Sequence, residues 1–475
     1  SFHRRAADAL ADPHLPRKIE RATTRLVSAR HASFAAFPEG EALRDEARAI
    51  RARVVAHLDQ HLIRFEAELQ KRGAHLHWAA TRDDAVRIVV DIARAKGART
   101  IVKGKSMVSE EIELNAALEA EGLHVVETDL GEYVAQLAGE HPSHIVGPII
   151  HKSRDDVAAV FREKLGAGDE DVRDAASMTA LVRRTLRAVF IRADMGISGA
   201  NFGVAETGSI CIVTNEGNGR LTTTIPRVHV ALMGIERIVP TMEDLSVMLR
   251  LLARSATGQT LSVYSNIITG PRRRDPAGSE AASEPDGPDE LHVVLVDNGR
   301  TELLGTELAE ILYCIRCGAC LNTCPVFQNV GGHAYGSVYS GPVGAVLTPA
   351  LRGLEAYPDL PHASSLCGAC REICPVRIDI PRMLLALRAR GAARPETPLW
   401  IRHGIRIYAW LASRPRLFGA AARMARIASR ARATDGWLRS LPGPLAGWTA
   451  HRDFPAFAPR SFQQLWRERG RGRKP

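Results

Sequence analysis

With 475 residues, 45% of them hydrophobic and 24% charged, the chain has the composition of a globular protein of several domains, which excludes general disorder, and it lacks any run of about 18 apolar residues, which excludes a membrane-spanning helix. The formal net charge of +10 is concentrated at one end: residues 397–475 carry 16 Lys+Arg against 3 Asp+Glu, a net of +13, so the rest of the chain nets −3. A local basic tail with no zinc-finger, aromatic RNP-like or homeodomain pattern excludes nucleic acid as a partner of the whole chain, and a basic N-terminal stretch without an apolar segment points to the cytoplasm rather than to secretion.

Residues 1–70 read as helices, with 41–71 the clearest. From about 71 to 300 strands and helices alternate, as in an α/β domain. Strands are expected at 74–80, 100–103, 123–127 and 144–150, in the short apolar stretches within 202–214 and at 228–234, and at 261–268 and 291–297. The apolar spacing predicts helices at 83–96, 178–192 and 241–256. Another is expected from Ser109 as N-cap to Glu121, with Glu110 and Glu111 in the first turn where the helix dipole favours negative charge, and Gly122 as its stop. Residues 271–290, rich in Pro, Gly, Ser and charge, read as a loop between two strands. Cys211 sits in an apolar stretch of β character and reads as a small buried hydrophobe.

The other seven cysteines fall between positions 314 and 374. Cys314, Cys317, Cys320 and Cys324, followed by Pro325, form C-x2-C-x2-C-x3-C-P, the ligand run of bacterial ferredoxins. Three thiolates at this spacing wrap three corners of a cubane, while the fourth is turned away toward a second cluster. A near copy follows in Cys367, Cys370 and Cys374 with Pro375, where Ser364 stands in the place of the first cysteine. Cross-ligation then assigns one [4Fe–4S] cluster to Cys314, Cys317, Cys320 and Cys374. It assigns a second to Cys324, Cys367 and Cys370, with its fourth position open or filled by Ser364. Zinc is the competing reading, since C-x2-C pairs also close zinc tetrahedra; the unbroken run of four and its near copy favour iron and sulfide. Helices are expected before the first run (306–313), between the runs (336–354, as a helix or turn) and after the second (380–390), which makes this a helical ferredoxin module.

Further polar blocks precede the cysteines: Lys103, Lys105, Ser106, Ser109, Glu110 and Glu111; then Glu127, Asp129, Glu132 and Gln136; Glu140, His141, His144 and His151; Glu206, Gly208 and Ser209; and Asn215 through Arg220. With these blocks in this order, the chain resembles the iron–sulfur subunit family of the lactate-utilization system, LutB, also called LldF, over nearly its whole length. The serine at position 364 also matches that family. The resemblance implies a LUD domain with an α/β fold of the sugar-phosphate isomerase and CoA-transferase group at 71–300, preceded by a helical region at 1–70. A ferredoxin module with two [4Fe–4S] clusters is implied at 301–392, and a basic helical tail at 393–475. It implies an electron carrier in the oxidation of L-lactate to pyruvate, working beside a protein with cysteine-rich CCG domains and a second LUD protein.

A packed core does not need so many polar groups at strand ends, and strand carboxyl ends are where open α/β sheets bind ligands. An anion pocket would draw on Lys103, Lys105, Ser106, Glu206, Gly208, Ser209 and Asn215, for lactate or another small carboxylate; buried ion pairs and caps that fix loops explain the same residues equally well. A third reading makes the LUD domain a scaffold for the companion subunits. The histidines at 141, 144 and 151 read as structural. No nucleotide-binding motif is present. In the tail, arginines interleave with Trp410, Trp437, Trp448 and Trp466. A solvated basic face explains this, and the alternative is docking at an acidic partner or at anionic lipid near a quinone-linked acceptor, peripheral to the membrane.

Overall fold

The computed structural model describes residues 1–272, 287–393, 399–449 and 452–471; most of the expected loop at 271–290 therefore lies outside the described residues. Residues 1–391 form one compact unit and residues 392–475 a second.

Among the described residues of the first unit, ten strands build two sheets. They are β1 His75–Ala79, β2 Thr100–Lys103, β3 His124–Glu127, β4 Met195–Gly199, β5 Phe202–Val204, β6 Ser209–Thr214, β7 Val228–Gly234, β8 Ile238–Val239, β9 Tyr264–Ile268 and β10 Glu290–Val296. A six-stranded sheet runs β1-β10-β7-β4-β2-β3, and every neighbouring pair is parallel. All seven residues of β7 are buried, as expected of a parallel strand covered on both faces. The second sheet runs β8-β5-β6-β9. Cys211 lies in β6 with no exposed surface, and burial pushes its thiol up to about 12.

Local chemistry sets the covering helices. Arg82–Ala95 starts at a capping box, Thr81 with Asp84, and buries Ala85, Val89, Ile92 and Ala93. That spacing lays one apolar stripe on the sheet. On the sheet's other side Ala175–Arg192 buries Met178, Val182, Leu186 and Phe190. The helix expected from Ser109 begins earlier, at Met107, because Ser106 is the cap: its Oγ accepts the Ser109 amide at 3.1 Å. It also breaks at Glu113, which takes a left-handed φ of 54° before a second helix, Leu114–Ala120. Arg82 holds the break by donating to the Ile112 carbonyl at 3.0 Å. The strand expected at 144–150 does not form. His144 Nδ1 accepts the amides of Val146 and Gly147, both at 3.0 Å, and this local bonding folds the segment into turns. Strand β4 and the helices Leu130–Ala138 and Arg154–Leu165 were not anticipated.

Four helices precede the sheet: Phe2–Ala11, Leu15–Ala35, Gly40–Ala56 and Leu58–Lys71. Gly40–Ala56 buries Leu43, Ala47, Ile50 and Val54, a single helical face. That face joins a hydrophobic core shared by the N-terminal helices, the small sheet and the cysteine-bearing segment. Phe65 and Phe202 in this core have no exposed surface, and each such burial stabilises the fold by about 2–3 kcal/mol. The cysteine-bearing segment consists of short helices, Ala319–Asn322, Pro325–Val330, Gly341–Arg352, Ala369–Ile373 and Ile380–Ala392. The helix expected at 306–313 is reduced to a 3-10 turn at Ala309–Tyr313.

The second unit contains the helices Leu399–Ala412, Pro415–Arg432 and Phe462–Arg471. It also pairs Trp437–Leu438 antiparallel with Phe454–Pro455, so the tail is not wholly helical. No helix among the described residues is long and apolar enough to cross a membrane.

Candidate metal centre and the adjoining cavity

The two cysteine loops share one backbone design. In the first, the Arg316 amide donates to Cys314 Sγ at 3.4 Å, Arg316 takes a φ of 59° and Gly318 one of 75°. In the second, the Leu366 amide donates to Ser364 Oγ at 3.1 Å, Leu366 takes a φ of 57° and Gly368 one of 87°. Ser364 therefore occupies in the second loop the position of Cys314 in the first, with its oxygen where the sulfur would be. A short helix follows each loop and carries the third cysteine, Cys320 or Cys370.

Cys314, Cys317, Cys320 and Cys374 line one cavity, together with Ile145, Ile315, Val343, Val376, Ile378 and Ile380. Burial pushes the Cys317 thiol up to about 12 and the Cys374 thiol to about 11, with the neighbouring thiols adding to the first. Amides already point at these sulfurs: that of Ala319 at Cys317, and those of Val376 and Ile378 at Cys374. Burial likewise raises Cys324 and Cys370, Cys370 to about 12, and both feel Cys367. The structure thus gathers Cys324, Cys367 and Cys370 as a second group, with Cys367 exposed. Four sulfurs around one zinc would lie about 3.8 Å apart, given a Zn–S bond of about 2.3 Å in a tetrahedron. Among the described residues no cysteine belongs to a set of three ligand atoms within 4.8 Å. An apolar, amide-lined cage of four thiols not gathered within a single ion's reach fits a cubane better than a single ion. Cys314, Cys317, Cys320 and Cys374 would hold one cluster; Cys324, Cys367, Cys370 and Ser364 would hold the other.

Arginines distant in sequence finish the cage. Arg30 donates to the Ile373 carbonyl at 2.8 Å. Arg44 reaches the carbonyls of Glu372 and Cys374, the latter at 2.9 Å. Arg51, wholly buried, donates to the carbonyls of Ile238 and Leu312 at 2.7 and 2.9 Å and to that of Glu236. Arg237 donates to the carbonyls of Asn201 at 2.8 Å and Cys314 at 2.5 Å. None of these was singled out from the sequence, because a lone arginine carries no local sign of the carbonyl it will meet on another element, 330 residues on for Arg44 and 77 for Arg237.

A second cavity, of about 320 Å³, opens at the carboxyl ends of β2 and β4 and shares Ile145 and Arg316 with the cysteine cage. Of the residues expected in an anion pocket, Lys105, Ser106 and Asn215 line it. Lys105 Nζ donates to the Val146 carbonyl at 2.8 Å, and Asn215 is engaged by Gln259 and the Val263 amide. The other four lie elsewhere. Lys103 is wholly buried and pairs with Glu127 at 2.5 Å and Glu110 at 3.0 Å. Glu206 accepts the Met242 amide at 2.6 Å at the start of a helix. Gly208 packs so closely on Leu69 that a Cβ would come 2.2 Å from its amide nitrogen, and the Ser209 hydroxyl bonds Thr207 and Thr269. Glu132 is buried with both carboxyl oxygens unpartnered, and burial with Glu127 beside it pushes it well above the usual carboxylate range. Asn218, from the polar block 215–220, also lines the cavity, and the lining residues without a sequence signal include Glu236, Arg237, Arg316 and Tyr339. Burial alone would raise Glu236, yet Arg300, Arg316 and Arg237 hold its carboxyl down to about 2.

Three family models match the chain: the LUD domain over residues 62–296, the 4Fe-4S dicluster domain over 310–378, and the C-terminal region of lactate utilisation protein B over 389–471. Lactate utilization protein B 2 of Bacillus mycoides and lactate utilization protein B of Bacillus thuringiensis are each 42% identical to it over 472 residues, covering 99% of this chain and 98% of theirs. A solved DUF162 family protein from Deinococcus radiodurans covers 50% of this chain and 98% of its own at 17% identity and a TM-score of 0.27, too low to support an argument. An α/β LUD domain followed by an iron–sulfur dicluster segment, and full-length likeness to curated relatives, place the chain in the lactate utilization protein B family.

Proposed function

We propose that this iron–sulfur protein is the electron-transfer subunit of a system that oxidises L-lactate to pyruvate, and that it holds two [4Fe–4S] clusters on cross-exchanged ligands. The observation that carries the reading is the paired loop design, in which each loop's last cysteine is offered to the other loop's set. When bound, such clusters carry single electrons. The chain's own residues would set how they do so. Amides of Arg316, Ala319, Val376 and Ile378 stabilise the thiolates, and Arg44 and Arg237 bring positive charge to the carbonyls beside Cys374 and Cys314. One set of thiols lies in the interior beside the LUD cavity and the other includes the exposed Cys367. That order gives electrons a path from interior to surface. Ser364 Oγ supplies the eighth ligand. Companion subunits, one with CCG domains and one with a second LUD domain, would oxidise the substrate and accept its electrons. The basic tail, with Tyr408, Trp410 and Trp466 exposed, fits docking at an anionic membrane surface near a quinone-linked acceptor.

Anaerobic reconstitution with the companion subunits tests this. Visible absorbance of the clusters should bleach on addition of L-lactate. Bleaching by dithionite but not by L-lactate in the full assembly would contradict the role, though not the clusters.

A further inference from the structure

Two polar atoms lining the LUD cavity lack partners, and they are of opposite kind. Arg316 donates from Nη2 to Glu236 Oε1 at 3.3 Å and lies over Tyr339 with its guanidinium carbon 4.3 Å from the ring centroid, which leaves Nη1 buried and unbonded. Asn218 donates from Nδ2 to Thr128 Oγ1 at 3.3 Å. The Thr128 hydroxyl lies 2.9 Å from the Lys103 carbonyl and 3.2 Å from the Thr222 hydroxyl. In this arrangement Asn218 Oδ1 is a buried acceptor without a donor. An unsatisfied buried group destabilises the fold, more so when charged.

The other charges around this cavity are already engaged or weakened. Lys105 is held by the Val146 carbonyl, and Arg237 by the carbonyls of Asn201, Cys314 and Ile315. Glu236 is paired by Arg300 at 2.7 Å as well as by Arg316. Asp129 caps the amides of Gly131 and Glu132, and burial, with Asp129 nearby, raises Glu216. What is left over is one cationic donor and one neutral acceptor. A ligand that satisfies both carries an anionic oxygen and a hydroxyl.

Arg316 also stands between Cys314 and Cys317 and lines the cysteine cage. We propose that the LUD cavity binds a small hydroxycarboxylate, its carboxylate on Arg316 and its hydroxyl on Asn218, and that Arg316 thereby ties the potential of the buried cluster to occupancy of the cavity. This rests on the cluster reading above. The sign follows from charge: a bound anion offsets the guanidinium beside the cage and disfavours the added electron. The ligand therefore binds the oxidised protein more tightly, and by reciprocity lowers the potential.

The experiment uses the full iron-loaded chain under anaerobic conditions, with L-lactate as probe and propionate as the analogue lacking the hydroxyl. Calorimetry reads binding, and redox-poised EPR reads the potential. Expected is tighter binding of L-lactate than of propionate, and about tenfold tighter binding to the oxidised than to the reduced protein, which corresponds to a drop of about 59 mV for one electron. Arg316→Lys, which keeps a charge but loses the fork, should weaken binding of both anions about tenfold and shrink the potential shift. Asn218→Ala, which lies outside the cysteine loops and so spares both clusters, should abolish the preference for lactate over propionate. An iron-complete chain that gives no heat with L-lactate overturns the inference and leaves the cluster reading standing. A shift that survives in Arg316→Lys, or a lactate preference that survives in Asn218→Ala, overturns it as well. A chain that binds little iron contradicts the cluster reading and this inference together.

Discussion

The first and second cysteine loops have nearly superimposable backbone habits and opposite surroundings. Around the first, Gly318 packs against Val146 and His144, where a Cβ would come within 3.2 and 3.3 Å. The cage beside it is closed by Arg30, Arg44, Arg51 and Arg237. Around the second, Cys367 is exposed, Gly368 has no atom within 4 Å of where a Cβ would be, and serine replaces a cysteine. The same loop occurs on the inside as a shielded, positively flanked site and on the outside as an accessible one with a serine oxygen in the place of one sulfur. Ligand geometry is thus set locally by positive-φ turns and amide–sulfur bonds, whereas electronic environment is set by residues far away in sequence.

The largest effect should come from Cys374→Ala. Although Cys374 belongs to the second loop's sequence, its loss should remove the first loop's cluster, so iron falls from about eight to about four per chain. Retention of the buried cluster's EPR signal, with loss of the other, would reverse the assignment. Next, Arg44→Ala leaves the Glu372 carbonyl without its side-chain donor and the Cys374 carbonyl with only the Arg377 amide, and should cost about 2–3 kcal/mol. Arg371→Ala, on the exposed loop with its guanidinium 3.3 Å from Asp379, should cost less than about 1 kcal/mol. Anaerobic urea denaturation checks both, and equal costs would erase the contrast between the closed cage and the exposed face of the second loop. Smaller still, Gly318→Ala and Gly368→Ala both meet the penalty of about 1–2 kcal/mol for a side chain in left-handed backbone, and Gly318→Ala should exceed Gly368→Ala because only it also crowds neighbours. The subtlest change is Ser364→Cys, which should leave iron content unaltered and suppress the three-iron EPR signal that mild oxidation produces at an oxygen-ligated corner. An unchanged signal would show that position 364 is not a ligand.

Much of this contrast was legible before any coordinates. The x2 and x3 spacings and the two Cys-Pro endings predict Cys374 beside the first loop's cysteines, and Cys374 lines the same cavity as Cys314, Cys317 and Cys320. Strands β2 and β7 were also readable to the residue, being short apolar runs between turn signals. The segment at 144–150 was misread as a strand because it is a short run rich in β-branched apolar residues, while His144 satisfies two amides there. Lys103 and Lys105 illustrate the limit at the cavity. Two residues apart at a strand end, they look equivalent, yet register pairs Lys103 with Glu127 on the neighbouring strand while Lys105 reaches the cavity. Which of two lysines is spent on a buried ion pair depends on strand order, and that is a property of the fold. Arg51 and Arg316 were invisible for the same reason, since their partners lie on other elements.

Mössbauer spectroscopy of the anaerobically loaded, iron-57 full chain tests the central claim most directly. Two cross-ligated cubanes with Ser364 at one corner predict about eight irons per chain, all but one in sulfur-only coordination and the remaining one with the shift of an oxygen-bound site that disappears in Ser364→Cys. A spectrum with only one cubane's worth of iron, or a colourless chain holding zinc, would contradict it.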